Sequence, residues 1–334
     1  MKQTVLRLMQ ESGAFTAFRL ANRHKALILT YHRFSEDGHD GTTSARALAE
    51  QLEYLSGHYQ LVNLTTLINH LESQYPLPAG LAAITIDDGY RDAYDVALPV
   101  LRRYDAPATL FAVTRFVDGD DWLWTDKVEY ALLHSRAVRF EGAINHQPFH
   151  FELKNRALRL RAAERLKAHL KTVSEARKQS NLATIAELLD VELPERAPQA
   201  YAALTWDQVR ELEANDIEVA SHTVTHPILT QVSDEQLERE LVESKYRMEA
   251  ELGHTVDLFC YPNGDNDART RLAVRRAGYR AAVTVEEGFN EKLCDMLALR
   301  RVHSERDFAH FVQCTSGFEQ MKNRLRFALA KTAS

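Results

Sequence analysis

Short apolar segments alternate with amphipathic helical segments along most of this chain of 334 residues, and this alternation constrains the fold more than any other feature. Strands are predicted at residues 26–31, 60–64, 81–86, 108–113, 217–221, 257–261, 280–285 and 297–302. Helices between them are predicted at residues 44–55, 92–103, 206–214, 234–252 and 267–277. Strands that alternate with helices favour a parallel sheet. Seven or eight such strands are typical of a closed or nearly closed (β/α) barrel with its active site at the carboxyl ends of the strands, and an open doubly wound sheet is the alternative.

The region between about residues 135 and 200 interrupts this alternation. Residues 137–153 predict a β-hairpin, and residues 155–178 predict one long charged helix. We therefore expect a barrel over residues 26–305 that carries a mainly helical insertion. Because insertions on a rigid scaffold often carry function, we expect this one to form a lid or a partner surface.

Both ends of the chain have the pattern of basic amphipathic helices, which we expect within residues 1–25 and residues 306–334. Their apolar positions are Leu6, Met9, Phe15 and Phe18 at one end and Phe318, Met321, Leu325 and Leu329 at the other. Helices of this kind either pack on the barrel or lie on an anionic membrane surface, and both interpretations are open. The second predicts peripheral contact with the inner face of a membrane.

The composition argues against several classes of protein. A net charge of −6 and a pI of about 6.2 argue against wholesale binding to nucleic acid. The three cysteines, Cys260, Cys294 and Cys314, are too few and too scattered for a disulfide framework or a zinc finger. The residues after Met1 contain no uninterrupted apolar run with a cleavage-like site, so no signal peptide is predicted and a cytoplasmic location is expected.

Two adjacent carboxylates, Asp87 and Asp88, follow the predicted strand at 81–86. Adjacent like charges raise each other's pKa values unless a positive partner absorbs the charge. Asp-Asp-Gly after a strand is by itself often only a turn or a helix cap. A divalent metal held by one aspartate would relieve the repulsion and leave the other aspartate as a general base.

Histidines follow two further predicted strands. His222 and His226 come after the strand at 217–221, and on one helical turn their spacing would place both imidazoles on the same side. His32 ends the strand at 26–31 and could protonate a leaving group. Each pattern alone is more often a solvated helix face or a packed histidine. Two histidines and a carboxylate are nevertheless a common open metal site, and here all of them lie at strand ends.

Short motifs make the sequence resemble the polysaccharide deacetylases, carbohydrate esterase family 4. Residues 85–89 (TIDDG) resemble the family's T-F-D-D-G motif, and residues 222–226 (HTVTH) match its H-[ST]-x-x-H metal motif. Residues 259–264 (FCYPNG) resemble its third motif with only the proline kept, and residues 120–126 (DDWLWTD) resemble its tryptophan-bearing motif. Residues 29–32 (LTYH) are similar to the branch typified by poly-N-acetylglucosamine deacetylases.

This resemblance extends over about residues 26–305 and implies a distorted (β/α)7 barrel and a role for each matching residue. Asp87 resembles the catalytic base. The implied metal ligands are Asp88, His222 and His226. Asn263 takes the position whose backbone N–H helps hold the oxyanion, Tyr261 belongs to the same segment and is expected to line the same pocket, and Trp124 resembles the wall of the acetyl pocket.

Two departures from the family pattern concern catalysis. The third motif usually has an arginine two residues before the proline, where it orients the base, and Cys260 stands there instead. Arg301, on the last predicted strand, is the candidate replacement. The family's catalytic histidine usually lies near the C-terminus, where His303 is the candidate. The N-terminal LTYH motif favours His32 instead, because His32 ends a clean apolar strand.

The implied activity is metal-dependent hydrolysis of N-acetyl groups from an N-acetylated sugar or polysaccharide, which gives acetate and a free amino sugar. One divalent metal ion is expected, with Zn²⁺ favoured and Co²⁺ or Ni²⁺ as alternatives. The expected substrate is an N-acetylated glycan or, if the chain ends lie on a membrane, a lipid-linked sugar. A metal amidohydrolase that acts on a small non-sugar amide and a catalytically inactive glycan-binding module are the alternative functions. The sequence does not indicate an oligomeric state.

Overall fold

The structure, a computed structural model, describes residues 13–38 and 41–322. Its strands are β1 (Leu27–Tyr31), β2 (Phe34–Ser35), β3 (Thr43–Ser44), β4 (Gln60–Leu61), β5 (Leu81–Ile86), β6 (Ala108–Ala112), β7 (Arg139–Ile144), β8 (Gln147–Glu152), β9 (Ile217–Ser221), β10 (Leu258–Cys260), β11 (Ala281–Glu287) and β12 (Leu299–His303). Its α-helices are α1 (Ala14–Ala21), α2 (Ala45–His58), α3 (Leu64–Glu72), α4 (Leu98–Arg103), α5 (Thr114–Val117), α6 (Trp124–His134), α7 (Arg156–Leu170), α8 (Glu175–Leu188), α9 (Trp206–Glu213), α10 (Asp234–Leu252), α11 (Ala268–Arg276) and α12 (Phe308–Thr315). A π-helical turn at Ala93–Ala97 leads into α4.

Parallel pairing closes seven of the strands into a barrel. The sheet has the order β1-β12-β11-β10-β9-β6-β5-β4, and β1 also pairs with β5. β4 is left outside the closed ring, with Gln60 opposite Leu81 at the start of β5. The prediction of a (β/α)7 barrel is confirmed, and the open-sheet alternative is wrong. β4 corresponds to the strand predicted at 60–64, of which only two residues form a strand.

Side chains of the barrel strands alternate between the two faces of the sheet, and this alternation positions the site. In β1, Leu29 and Tyr31 pack with side chains of the surrounding helices. Ile28 instead packs in the barrel interior with side chains of β5, β11 and β12. Thr30 and His32 follow Ile28 at steps of two, so they belong to the same interior row. β1 and β5 are buried along their whole length, which explains why both strands are apolar except for one threonine each, Thr30 and Thr85.

The insertion between β6 and β9 has an apolar core of its own. β7 and β8 form an antiparallel hairpin, as predicted, in which Ile144 lies opposite Gln147. Its turn residues, Asn145 and His146, have φ values of 49° and 66°, as a two-residue type I′ turn requires. The hairpin packs with α6, α7 and α8 around buried side chains that include Trp124. The helix that carries Trp124 is therefore tied to the insertion.

The prediction of one long helix at 155–178 is wrong, because the chain leaves the helical conformation between α7 and α8. Thr172 and Val173 are β-branched, which disfavours the helix at this point. The hydroxyl of Thr172 donates to the carbonyl of His169 at 2.8 Å, and Val173 is buried in the core of the insertion. Ser174 then stands at the N-cap of α8. The break turns the chain so that both helices face one core.

The described parts of the two chain ends pack against the barrel and against each other. Phe15 of α1 is 2% exposed, and its ring lies 5.8 Å from the ring of Phe318. Phe18 contacts the same ring at 5.0 Å. Four further apolar positions of the predicted amphipathic ends lie outside the described residues, namely Leu6, Met9, Leu325 and Leu329. The membrane contact therefore stays a prediction, although no helix in the described part of the chain is long and apolar enough to span a bilayer.

Candidate active site

A cavity of about 360 Å³ opens at the carboxyl ends of the barrel strands. Eight of the predicted site residues line it: His32, Asp87, Asp88, Trp124, His222, His226, Tyr261 and Asn263. The ninth, Arg301, is 1% exposed and lies behind Asp87. The structure thus brings every predicted site residue to one place, since the carboxyl ends of parallel strands meet at one end of a barrel.

Three of these residues have the spacing of metal ligands. Oδ1 of Asp88 lies 3.5 Å from Nε2 of His222 and 3.4 Å from Nε2 of His226. Ligand atoms that bind a tetrahedral ion at about 2.1 Å are separated by roughly 3.4 Å. The ligand atoms of all three residues lie within 4.8 Å of one another. The separations therefore fit a single divalent ion bound between the three side chains.

The hydrogen bonds of the two histidines leave the expected nitrogen atoms available. Nδ1 of His222 donates to the backbone carbonyl of Cys260 at 2.8 Å, so Nε2, which lies 3.5 Å from Oδ1 of Asp88, is the nitrogen that would bind an ion. Nδ1 of His226 is buried and has no hydrogen-bond partner among the described residues. Burial, and after it the neighbouring His222, lowers the pKa of His226 to about 3. His226 is therefore a neutral imidazole at neutral pH, as a metal ligand must be.

A second group of donors at the cavity, Asp87, His222 and Cys260, has ligand atoms equally close together. It suits a metal less well, because both carboxylate oxygens of Asp87 already accept hydrogen bonds from Arg301. Burial also raises the pKa of the Cys260 thiol and so disfavours the thiolate that metals bind. The group of Asp88 and the two histidines is thus the better candidate metal site.

Asp87 forms a buried bidentate ion pair with Arg301. Nη1 and Nη2 of Arg301 each donate to one carboxylate oxygen at 2.7 Å. Burial alone would raise the pKa of Asp87, but the guanidinium charge and its hydrogen bonds outweigh burial and hold the pKa well below the usual range of an aspartate. Asp87 is therefore an oriented carboxylate at neutral pH.

Arg301 fills the space beside the cysteine that departs from the family pattern. Nη2 of Arg301 lies 3.3 Å from Sγ of Cys260, so both side chains meet next to Asp87. The guanidinium is held further by the carbonyl of Thr284 at 2.7 Å and the hydroxyl of Thr85 at 3.0 Å. An arginine on β12 thus contacts the carboxylate that an arginine at position 260 is expected to contact.

Both candidate acids line the cavity. Nε2 of His32 lies 3.7 Å from Oδ2 of Asp87, and its side chain is 44% exposed. His303 lies opposite Thr30 in the pairing of β1 with β12 and lines the same cavity. Burial, and after it the proximity of His32, lowers the pKa of His303. The position of His303 at the cavity therefore gives no reason to exclude it as the acid.

The helical turn that was expected to align His222 and His226 is absent, and an irregular loop takes its place. Thr223 and His226 have φ values of 72° and 58°, in the left-handed region. Glu240 of α10 accepts hydrogen bonds from the backbone N–H groups of Val224 and Thr225 at 2.8 and 2.9 Å. These contacts bring the imidazole centroids to 4.7 Å from each other, so the side-by-side arrangement holds although its predicted cause is wrong.

Trp124, Tyr261 and Asn263 form walls of the cavity. Trp124 Nε1 and Tyr261 Oη are buried and have no hydrogen-bond partner among the described residues. Lys178 of the insertion is fully buried and places its ammonium 4.6 Å from the centroid of a Trp124 ring. Asn263 has φ 58°, a left-handed conformation that asparagine tolerates. Through Lys178, the insertion therefore directly contacts the wall of the cavity that Trp124 forms.

Three residues near the cavity were missed from the sequence. Glu240 occupies the buried stripe of α10, next to Leu237 and Leu241, and a charged residue on an apolar stripe was the available signal. Lys171 and Lys178 had no comparable signal, because they lie among many other charges in a segment that was expected to form a single helix.

Comparison with known proteins identifies the family. The sequence profile of the polysaccharide deacetylase family matches residues 74–142 and 152–282. A Bacillus subtilis (strain 168) protein described as a polysaccharide deacetylase, YxkH, is 30% identical over 99 residues, which cover 30% of this chain and 36% of that protein. The chain thus matches only about a third of the length of this curated relative.

Solved structures share the fold. IcaB from Ammonifex degensii superposes with a TM-score of 0.57 at 17% identity, covering 87% of this chain and 97% of the other. The deacetylase PplD of Streptococcus pyogenes, solved in complex with acetate, superposes with a TM-score of 0.56 at 19% identity. The superposition covers 84% of this chain and 92% of PplD. A de-N-acetylase of Aggregatibacter actinomycetemcomitans superposes with a TM-score of 0.52 at 17% identity. The superposition covers 83% of this chain and 94% of the other. Since the family profile matches more than half of the chain, the protein belongs to the polysaccharide deacetylase family.

Proposed function

We propose that this protein is a metal-dependent deacetylase that removes N-acetyl groups from an N-acetylated sugar or polysaccharide. The observation that carries the proposal is the convergence of Asp88, His222 and His226 in one cavity with Asp87, which is paired with Arg301. Membership of the polysaccharide deacetylase family supports the same reaction class. The products are acetate and a free amino sugar.

A divalent ion held by Asp88, His222 and His226 would polarise the acetamide carbonyl and lower the pKa of a water molecule. Zn²⁺ is the proposed ion, because two imidazoles and one carboxylate are ligands that it accepts with a position left open, and Co²⁺ or Ni²⁺ would accept the same ligands.

Asp87 is the proposed general base that removes a proton from the attacking water. Its carboxylate is kept ionised and oriented by Arg301. A base must lie within hydrogen-bond reach of the proton that it accepts, and Asp87 is the direct chain neighbour of the proposed ligand Asp88. The backbone N–H of Asn263, at the cavity wall, is the proposed donor to the developing oxyanion.

His32 is the proposed acid that protonates the departing amine. Nε2 of His32 lies 3.7 Å from Oδ2 of Asp87, so the proposed acid and the proposed base face the same part of the cavity. His303 lines the same cavity and is the alternative acid. Trp124 and Tyr261 are proposed to contact the substrate, with Trp124 beside the acetyl group.

The two alternative functions receive less support. A missing arginine at position 260 would favour an inactive glycan-binding module, but Arg301 contacts Asp87 instead. A small non-sugar amide remains a candidate substrate, because a barrel can host another substrate through changes in its loops. No observation on the cavity favours that alternative over a sugar.

Mass spectrometry of candidate substrates after incubation tests the proposed function. The panel contains N-acetylglucosamine oligosaccharides together with small linear and cyclic amides. Loss of acetyl from the oligosaccharides is expected with the zinc-loaded wild type and not with His226→Ala, which lacks a proposed ligand. Hydrolysis of the small amides alone would favour the amidohydrolase, and binding of oligosaccharide without acetate release would favour the glycan-binding module.

A further inference from the structure

Of the aspartates and lysines that line the cavity, one lysine lacks a partner of opposite charge among the described residues. Asp87 is paired with Arg301, and Asp88 is the proposed carboxylate ligand of a divalent ion. Lys171 also lines the cavity. Its ammonium forms no hydrogen bond or ion pair with any residue in the ranges 13–38 and 41–322, whereas the insertion's other lysines, Lys154, Lys167 and Lys178, are all paired with glutamates.

The backbone of Lys171 is held in place by the fold. The residue lies in the break between α7 and α8, where its N–H donates to the carbonyl of Lys167 at 3.0 Å. Its own carbonyl accepts a hydrogen bond from Nε2 of Gln231, which belongs to the barrel. Val173, two residues further along the chain, is buried in the core of the insertion. The half-buried Lys171 is therefore presented to the cavity from a fixed turn.

Two other side chains at the cavity lack acceptors for their protons. Trp124 Nε1 and Tyr261 Oη have no partner among the described residues. Both residues line the cavity together with Lys171. Their two donor atoms are closed off from solvent, so the ammonium of the half-buried Lys171 is the donor that argues for a particular ligand. An ammonium binds a carboxylate or a phosphate more strongly than a neutral hydroxyl group.

We infer that Lys171 binds an anionic substituent of the substrate, so that the enzyme prefers acetamido sugars that carry a carboxylate or a phosphate. This inference rests on the proposed deacetylase function. Because a hydrogen bond to a charged partner contributes more than one between neutral groups, we expect the anionic substituent to raise kcat/KM by about 10- to 100-fold.

The test compares three substrates with one N-acetylglucosamine oligosaccharide backbone: the neutral oligosaccharide, its 6-phosphate and its 3-O-lactyl ether. Acetate release is measured for the zinc-loaded wild type, for Lys171→Met and Lys171→Arg, and for Lys154→Met as a control at an exposed, paired lysine of the same insertion. The phosphate and the lactyl carboxylate distinguish the two sources of charge.

The wild type is expected to prefer one or both anionic substrates at least tenfold. Lys171→Met should lower kcat/KM on the preferred substrate at least ten times more than on the neutral one, Lys171→Arg should keep most of the preference, and Lys154→Met should keep all of it. Deacetylation of all three substrates without preference, or a preference that survives in Lys171→Met, would overturn the inference and leave the deacetylase function standing. If no substrate releases acetate, the proposed function fails, and calorimetric binding of the phosphorylated oligosaccharide to wild type and Lys171→Met then decides whether Lys171 binds the anion.

Discussion

Replacing Arg301 by methionine should inactivate the enzyme through Asp87. The substitution removes two hydrogen bonds of 2.7 Å to the carboxylate and leaves Asp87 buried without a cation. Burial then raises the pKa of Asp87 against only the charges of the neighbouring His32 and His222, so that a larger fraction of the carboxyl group is protonated at neutral pH. We expect kcat/KM at neutral pH to fall about 10²-fold or more, the usual contribution of a general base.

The same substitution should destabilise the fold by a magnitude that depends on pH. Removing one partner of a buried ion pair typically lowers the free energy of unfolding by about 3–5 kcal/mol. For a chain of this length, that corresponds to a decrease in Tm of roughly 4–7 °C. In the wild type the lowered pKa of Asp87 contributes stability that is present above about pH 4 and is lost as the pH falls. The Tm difference between variant and wild type should therefore shrink at acidic pH.

Acetate release and thermal unfolding, measured across a pH series, check both expectations. Arg300→Met is the matched control, because Arg300 is the neighbouring residue on β12 and its ion pair with Glu286 is exposed. Activity of Arg301→Met should recover towards alkaline pH as Asp87 ionises again. The exchange of Cys260→Arg with Arg301→Cys should restore part of the activity, since the two side chains meet at 3.3 Å. Near wild-type activity of Arg301→Met at neutral pH would refute the proposed orientation of the base.

Four further substitutions separate the remaining roles. Asp87→Asn should keep the metal but lower kcat about 10²-fold or more, which metal analysis and acetate release on the same sample determine. His32→Ala should lose most activity on an acetamide and much less on an activated acetyl ester, whose leaving group needs no proton, whereas His303→Ala should be mild on both; the reverse pattern would make His303 the acid. Glu240→Gln should weaken metal affinity about tenfold in a chelator competition, because the loop that carries the ligands loses a charged acceptor. Unchanged affinity in Glu240→Gln would show that other contacts hold the loop.

The barrel could be predicted because its strands are buried on both faces. β1 and β5 are apolar except for one threonine each, and each of their predicted boundaries lies within one residue of the observed one. The place of β4 could not be predicted, because its two paired residues carry no signal that distinguishes the closed ring from its outside. The break after α7 was missed because the local signal, the β-branched Thr172 and Val173, is weak, and the break is fixed by the packing of Val173 in the core of the insertion.

The sequence was enough to predict which strand ends carry the site residues, but it was not enough to predict how their side chains contact one another. Asp87 and Arg301 lie on β-strand rows whose alternation can be read from the sequence, but their contact depends on which strands become neighbours when the barrel closes. The alignment of His222 with His226 comes from left-handed backbone conformations that a helical spacing rule does not describe. Lys171 reaches the cavity only because the insertion folds back over the barrel, so no local pattern could have marked it.

Titration of zinc into metal-free protein, with acetate release from an N-acetylglucosamine oligosaccharide as the readout, tests the central claim most directly. We expect no measurable release from the stripped protein, a linear rise as zinc is added, and a plateau at one equivalent per chain, because Asp88, His222 and His226 would form a single site. Release from the stripped protein at the rate of the zinc-loaded protein, or no release at any zinc concentration, would contradict it.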